Sequence, residues 1–189
     1  MENEQKESTA YIRTLEGRIE GMERQGRCSS IEIRNVPVST AESKEDLLKI
    51  ILSITTALKV DASASDVCDV YRINTKIPTQ KPIICNLNSV LIKERILKSL
   101  KNFNKAHRGN RFSTEHIHIK GAAQPVFVSE NLTPKSRRLF FLARDFANSN
   151  DYSYCWVTHG RIFLRKREGE KLIRVDSELD LAKLQNVNK

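Results

Sequence analysis

Residues 152–167 read YSYCWVTHGRIFLRKR: two apolar and aromatic runs flank His159-Gly160, and Arg161, Arg165, Lys166 and Arg167 follow the turn. Two residues ending in glycine suit a primed two-residue turn between antiparallel strands. Such a turn dictates pairing: Thr158 faces Arg161, Val157 faces Ile162, Trp156 faces Phe163, Cys155 faces Leu164 and Tyr154 faces Arg165. One face is then Cys155, Val157, Ile162 and Leu164, an apolar side that can cover a helix. The other carries Tyr154, Trp156 and Phe163 among Arg161, Arg165 and Arg167. Rings interleaved with guanidinium groups suit single-stranded nucleic acid, because bases stack on rings while cations neutralise phosphates. The same rings also fit a cross-strand core pair with the arginines as a solvated rim. Residue types alone leave both arrangements of Trp156 and Phe163 open.

The formal charge of the 189-residue chain is +9, and it is unevenly placed. Residues 101–167 hold 13 Lys and Arg against 4 Asp and Glu, an excess equal to the whole net charge. Besides the ribbon, Lys135, Arg137, Arg138 and Arg144 lie on the segment before it, and Lys101, Lys105, Arg108, Arg111 and Lys120 lie further upstream. A concentration of cations points to nucleic acid or another acidic partner. For the segment 135–144 a solvated helix face is the simpler alternative.

Catalytic constellations are missing from the sequence. It has no glycine-rich phosphate loop, no Ser/His/Asp motif and no paired metal-ligand signature. His116 with His118, and Cys155 with His159, lack tetrahedral zinc spacing. The expectation is a protein without catalytic residues, cofactor, metal or small-molecule substrate. Cys28, Cys68, Cys85 and Cys155 lie far apart, as reduced intracellular thiols do, and the Asn131 sequon is then not glycosylated. No run of eighteen apolar residues exists to span a membrane, and no export signal opens the chain. An intracellular protein is expected, with nucleus and cytoplasm undecided.

The elements that must position these residues predict an α+β protein. Ile12, Leu15, Ile19 and Met22 are spaced as coiled-coil core positions, so 1–28 reads as a short amphipathic helix suited to homo-oligomerisation, or to packing on its own protein. Strands are expected at 30–36, 67–73, 82–87 and 116–119, with helices at 44–58 and 89–102: a βαββαβ sandwich of split βαβ type over 29–121. The stretch 101–111 reads as an exposed loop. A small α+β domain over 122–189 follows, with Thr133-Pro134 opening a helix, the hairpin, a strand at 172–175, and Ser177 with Asp180 capping a last helix.

Two families share residues with this chain. The run 93–98, KERILK, resembles a helix in the first-open-reading-frame protein of LINE-type retrotransposons. The runs 127–134, FVSENLTP, and 156–166, WVTHGRIFLRK, are similar to the C-terminal domain of the baculovirus few-polyhedra (FP) protein and its insect relatives, many of them transposon-derived. The first resemblance implies a coiled coil, an RNA-recognition-motif-like domain and a C-terminal domain that together bind single-stranded RNA or DNA, oligomerise and act as a nucleic-acid chaperone. It also implies that the ribbon and the interdomain junction contribute to the RNA surface, which includes Arg161, Arg165, Arg108 and Arg111. The second implies a viral or transposon-derived protein linked to occlusion and budding, whose domains serve assembly with other proteins. Glu32 stands where the first RNA-recognition strand usually has a stacking aromatic, and 83–87 lacks aromatics too, so the expected path of the strand moves away from that sheet.

Overall fold

The computed structural model describes residues 2–75 and 81–187, and the chain divides into two compact units: Ser29–Asn131, and Met1–Cys28 with Leu132–Lys189. It is an α+β protein with five helices and two antiparallel sheets among the described residues.

In the unit Ser29–Asn131, four strands form one sheet: β1 (Ser30–Arg34), β2 (Val67–Arg72), β3 (Ile83–Leu87) and β4 (Phe127–Glu130), in the order β2-β3-β1-β4. Every neighbour is antiparallel, with Ile31 opposite Cys85 on one side and opposite Glu130 on the other. Alternation puts Ile31, Ile33, Ile83 and Cys85 into one core. Two helices supply the rest: α2 (Lys44–Ala57) through Leu47, Ile51 and Ile54, and α3 (Val90–Ala106) through Ile96 and Leu100. Both starts are specified locally. Ser43 and Asp46 form a reciprocal capping box, and the Ser89 hydroxyl accepts from the Leu91 amide.

Two sequence expectations are corrected in this unit. Residues 116–119 are not a strand: Thr114–Ile117 form a 3-10 turn, and His118 adopts φ +57°, which a strand cannot continue. The fourth strand is Phe127–Glu130, so the unit extends to Asn131 rather than ending at 121. The stretch 101–111 is also less loop-like than its composition suggests. Helix α3 continues through Ala106 because Phe103 reaches the core and stacks on the His107 ring, 4.3 Å between centroids.

In the second unit, α1 (Glu2–Gly26) is followed after Leu132 by α4 (Pro134–Ser149), the strands β5 (Tyr154–Thr158), β6 (Arg161–Arg165) and β7 (Ile173–Val175), and α5 (Glu178–Val187). The three strands form an antiparallel sheet ordered β5-β6-β7. Its inner face, Ile162, Leu164 and Val175, packs with Leu139, Ala143 and Ala147 of α4 and Leu181 of α5. Thr133 caps α4 by accepting from the Ser136 amide at 3.0 Å, with Pro134 at the first helical position. Burying Ile162 and Leu164, both nearly inaccessible, contributes about 1.5–3 kcal/mol each. No helix among the described residues is long and apolar enough to cross a membrane.

Candidate nucleic-acid interface

The turn at His159-Gly160 has φ of +52° and +68°, both left-handed, which is the primed turn that keeps two strands in register. The observed pairs are Tyr154 with Arg165, Cys155 with Leu164, Trp156 with Phe163, Val157 with Ile162 and Thr158 with Arg161, each as the turn chemistry requires. Cys155 and Val157 join Ile162 and Leu164 against α4. Burial pushes the Cys155 thiol up to about 11, so it stays protonated inside.

The outward face consequently carries Tyr154, Trp156, Arg161, Phe163 and Arg165. Trp156 and Phe163 are both half-buried and stack on each other, 5.8 Å apart and 27° from parallel. Arg165 lies over Tyr154 at 4.7 Å and toward Trp156 at 6.0 Å. Its Nε–H is buried and finds no acceptor among the described residues; the ring contacts hold the group instead. The array is thus pre-ordered, with the two central rings already packed on each other and cations at their margins. The strands are shorter than the sequence suggests at both ends. Tyr152 leaves the ribbon for the core, Lys166 places its ammonium 5.3 Å from that ring, and Arg167 lies beyond β6, exposed and 3.9 Å from Asp151.

Pairing of β6 with β7 adds a residue that sequence reasoning overlooked. Arg174 sits opposite Phe163 and so on the outward face, held by Asp176 at 2.7 Å. The only sequence signal for it was the three-residue run of β7, too short to fix a register. On α4, Lys135, Arg137, Arg138 and Arg144 are exposed; Arg138 pairs with Glu178 at 3.2 Å, and Arg144 lies over Phe140 at 5.6 Å. Phe141, 66% exposed, stands between Arg137 and Arg144 at helical spacing and was likewise missed, because it adjoins a run of core residues. In the unit Ser29–Asn131, Lys101, Lys105, Arg108, Arg111 and Lys120 are all exposed. Glu32 and Ile84, on the sheet face opposite that core, are buried.

Helix α1 meets its own unit through one side. The Thr133 and Ser136 hydroxyls donate to Glu20 Oε1 at 2.7 and 2.8 Å, and Arg27 Nη1 donates to the Leu132 carbonyl at 3.3 Å. The Arg24 stem crosses Gly160, where a Cβ would come within 2.8 Å of its Cγ. Ile12, Ile19 and Met22, lying about 100–180° round the helix from the midline between Glu20 and Arg24 at 3.6 residues per turn, are exposed, while Leu15 is half-buried. Among the described residues no group of three or more His, Cys, Asp or Glu could hold a metal ion.

Residues 133–185, from the cap of α4 into α5, match the family model described as baculovirus FP protein domain 2. No curated protein matches the chain.

Proposed function

We propose that this is a non-enzymatic protein that binds single-stranded nucleic acid, RNA in preference to DNA, with little regard to sequence. One observation carries the reading: the outward face of β5–β7 gathers Arg161, Arg165 and Arg174 around Tyr154, Trp156 and Phe163. Because the two central rings stack on each other, phosphate contacts supply most of the affinity and stacking is confined to exposed rings such as Tyr154. In the unit Ser29–Asn131, the antiparallel order β2-β3-β1-β4 with α2 and α3 on one core supports an RNA-recognition-motif-like sandwich. The centre of its outer sheet face holds buried Glu32 and Ile84 rather than a stacking ring, with Tyr71 and Phe127 exposed at its margins, and phosphate contacts in this unit are assigned to the exposed cations Lys101, Lys105, Arg108, Arg111 and Lys120.

The test is a salt titration of binding to a labelled single-stranded oligonucleotide. Affinity should fall steeply with salt, and the Arg161→Ala/Arg165→Ala pair should flatten the log–log slope by about 1.4, at roughly 0.7 per lost phosphate contact. An unchanged slope would sink the reading.

A second reading has its own observation. The exposed seam Ile12, Ile19 and Met22 on α1, together with the similarity to an FP-type domain, supports a role in assembly, with α1 joining copies of the chain as a coiled coil while its opposite side stays docked. Binding to protein partners that survives nuclease treatment, without any oligonucleotide binding, would favour assembly over nucleic acid.

A further inference from the structure

Where α1 crosses the start of α4 and the ends of β6 and β7, the structure holds a cavity of about 310 Å³ lined by Glu20, Arg24, Lys135, Ser136, Arg161 and Arg174. Four of those six side chains are cationic. Arg174 is paired with Asp176, which also lines the cavity, but Arg24, Lys135 and Arg161 form no ion pair among the described residues. Glu20, the other acid, accepts from the Thr133 and Ser136 hydroxyls through Oε1 and sets a single negative charge against those three cations. The cavity therefore keeps uncompensated positive charge around donors that already satisfy one oxyanion.

We infer that this cavity is a phosphate-binding site, and that Glu20 is the built-in anion which holds α1 over it. The inference rests on the nucleic-acid reading for its natural ligand, a phosphate carried by a single strand leaving the outward face at Arg161 and Arg174. A terminal monoester and a backbone diester present the same non-bridging oxygens, so either enters by the same chemistry. Lys135 supplies a point charge, while the guanidinium groups of Arg24 and Arg161 supply planar paired donors. Glu20 opposes the incoming charge, so entry of phosphate loosens the hold of α1. Binding and the position of the N-terminal helix are thereby coupled.

The experiment titrates inorganic phosphate into the isotope-labelled full chain at constant ionic strength, reading the amide resonances of Ser136 and Arg161. A saturable shift that equivalent chloride does not produce is expected. Lys135→Ala, at an exposed site without partners, should weaken it about tenfold, the loss of one charge-assisted hydrogen bond. Glu20→Gln should tighten it severalfold; a merely damaged fold would weaken it. Lys171→Ala, at an exposed site outside the cavity, should leave it unchanged. Absence of saturation, or indifference to both Lys135→Ala and Glu20→Gln, overturns the site. Oligonucleotides with a 5′-phosphate and a 5′-hydroxyl then separate the sources. Tighter binding of the former, abolished by Lys135→Ala, identifies a terminal phosphate; equal binding, equally weakened by Lys135→Ala, identifies a backbone phosphate. Saturable phosphate binding with no oligonucleotide binding at all keeps the cavity and removes the nucleic-acid reading.

Discussion

Replacing Gly160 by alanine should cost about 2 kcal/mol and loosen both the hairpin and the N-terminal helix. The first contribution is conformational: at φ +68° a residue with a Cβ is disfavoured by about 1–2 kcal/mol relative to glycine. The second is steric. The new methyl would lie 2.8 Å from Arg24 Cγ and 2.9 Å from Cδ, in the middle of the side chain, so the whole stem must move rather than its tip. Arg24 lies one turn beyond Glu20, and displacing it disturbs the carboxylate that holds Thr133 and Ser136. The chain has a single tryptophan, Trp156, next to this turn, so urea denaturation followed by its fluorescence reports on this unit. Gly160→Asn should cost less than Gly160→Ala, since asparagine tolerates left-handed backbone. Adding Arg24→Ala to Gly160→Ala should relieve the steric part and reveal a coupling of about 0.5–1 kcal/mol. Stability within about 0.5 kcal/mol of the parent for Gly160→Ala, or strict additivity with Arg24→Ala, would refute the reasoning.

Further outcomes follow from other parts of the molecule. With maleimide at pH 8, exposed Cys68 should label first, read by mass spectrometry, while Cys155 and Cys85, whose thiols burial holds near 11 and 12, should react only after denaturation. The Ser43 amide and hydroxyl, followed by Lys49, hold the Asp46 carboxyl below its ordinary 3.8, so its contribution is present above that value and lost as pH falls through the lowered one. The melting deficit of Asp46→Asn should therefore be full at pH 7 and shrink in acid; a deficit independent of pH would contradict this capping role. Lys93→Ala, at a fully buried site 3.8 Å from Glu130, should lose about 3 kcal/mol, and Lys93→Met should recover part by refilling the volume, as chemical denaturation would show. If α1 joins copies through Ile12, Ile19 and Met22, Ile19→Asp should lower the mass seen by sedimentation without moving Trp156 fluorescence.

Local rules made much of this protein legible. The register of β5 with β6 follows from one two-residue turn, because a primed turn and a period of two leave each side chain one partner and one face. Thr133-Pro134, Ser89 and Ser43 mark helix starts because a cap needs only neighbours within one turn. What the sequence could not decide were choices made between distant segments. Residues 116–119, HIHI, alternate as a strand does and 127–130, FVSE, do not, yet pairing with β1, where Arg34 meets Phe127, made the second the strand. Arg174 reached the outward face through its partner Phe163, and Trp156 and Phe163 turned toward each other once the inner face was buried. Heptad spacing described α1 as a seam, but Glu20, chosen by the Thr133 and Ser136 hydroxyls, decided which side of that helix docks. Sequence order carries hydrogen bonds between neighbours; it does not say which distant carboxylate a buried hydroxyl will meet.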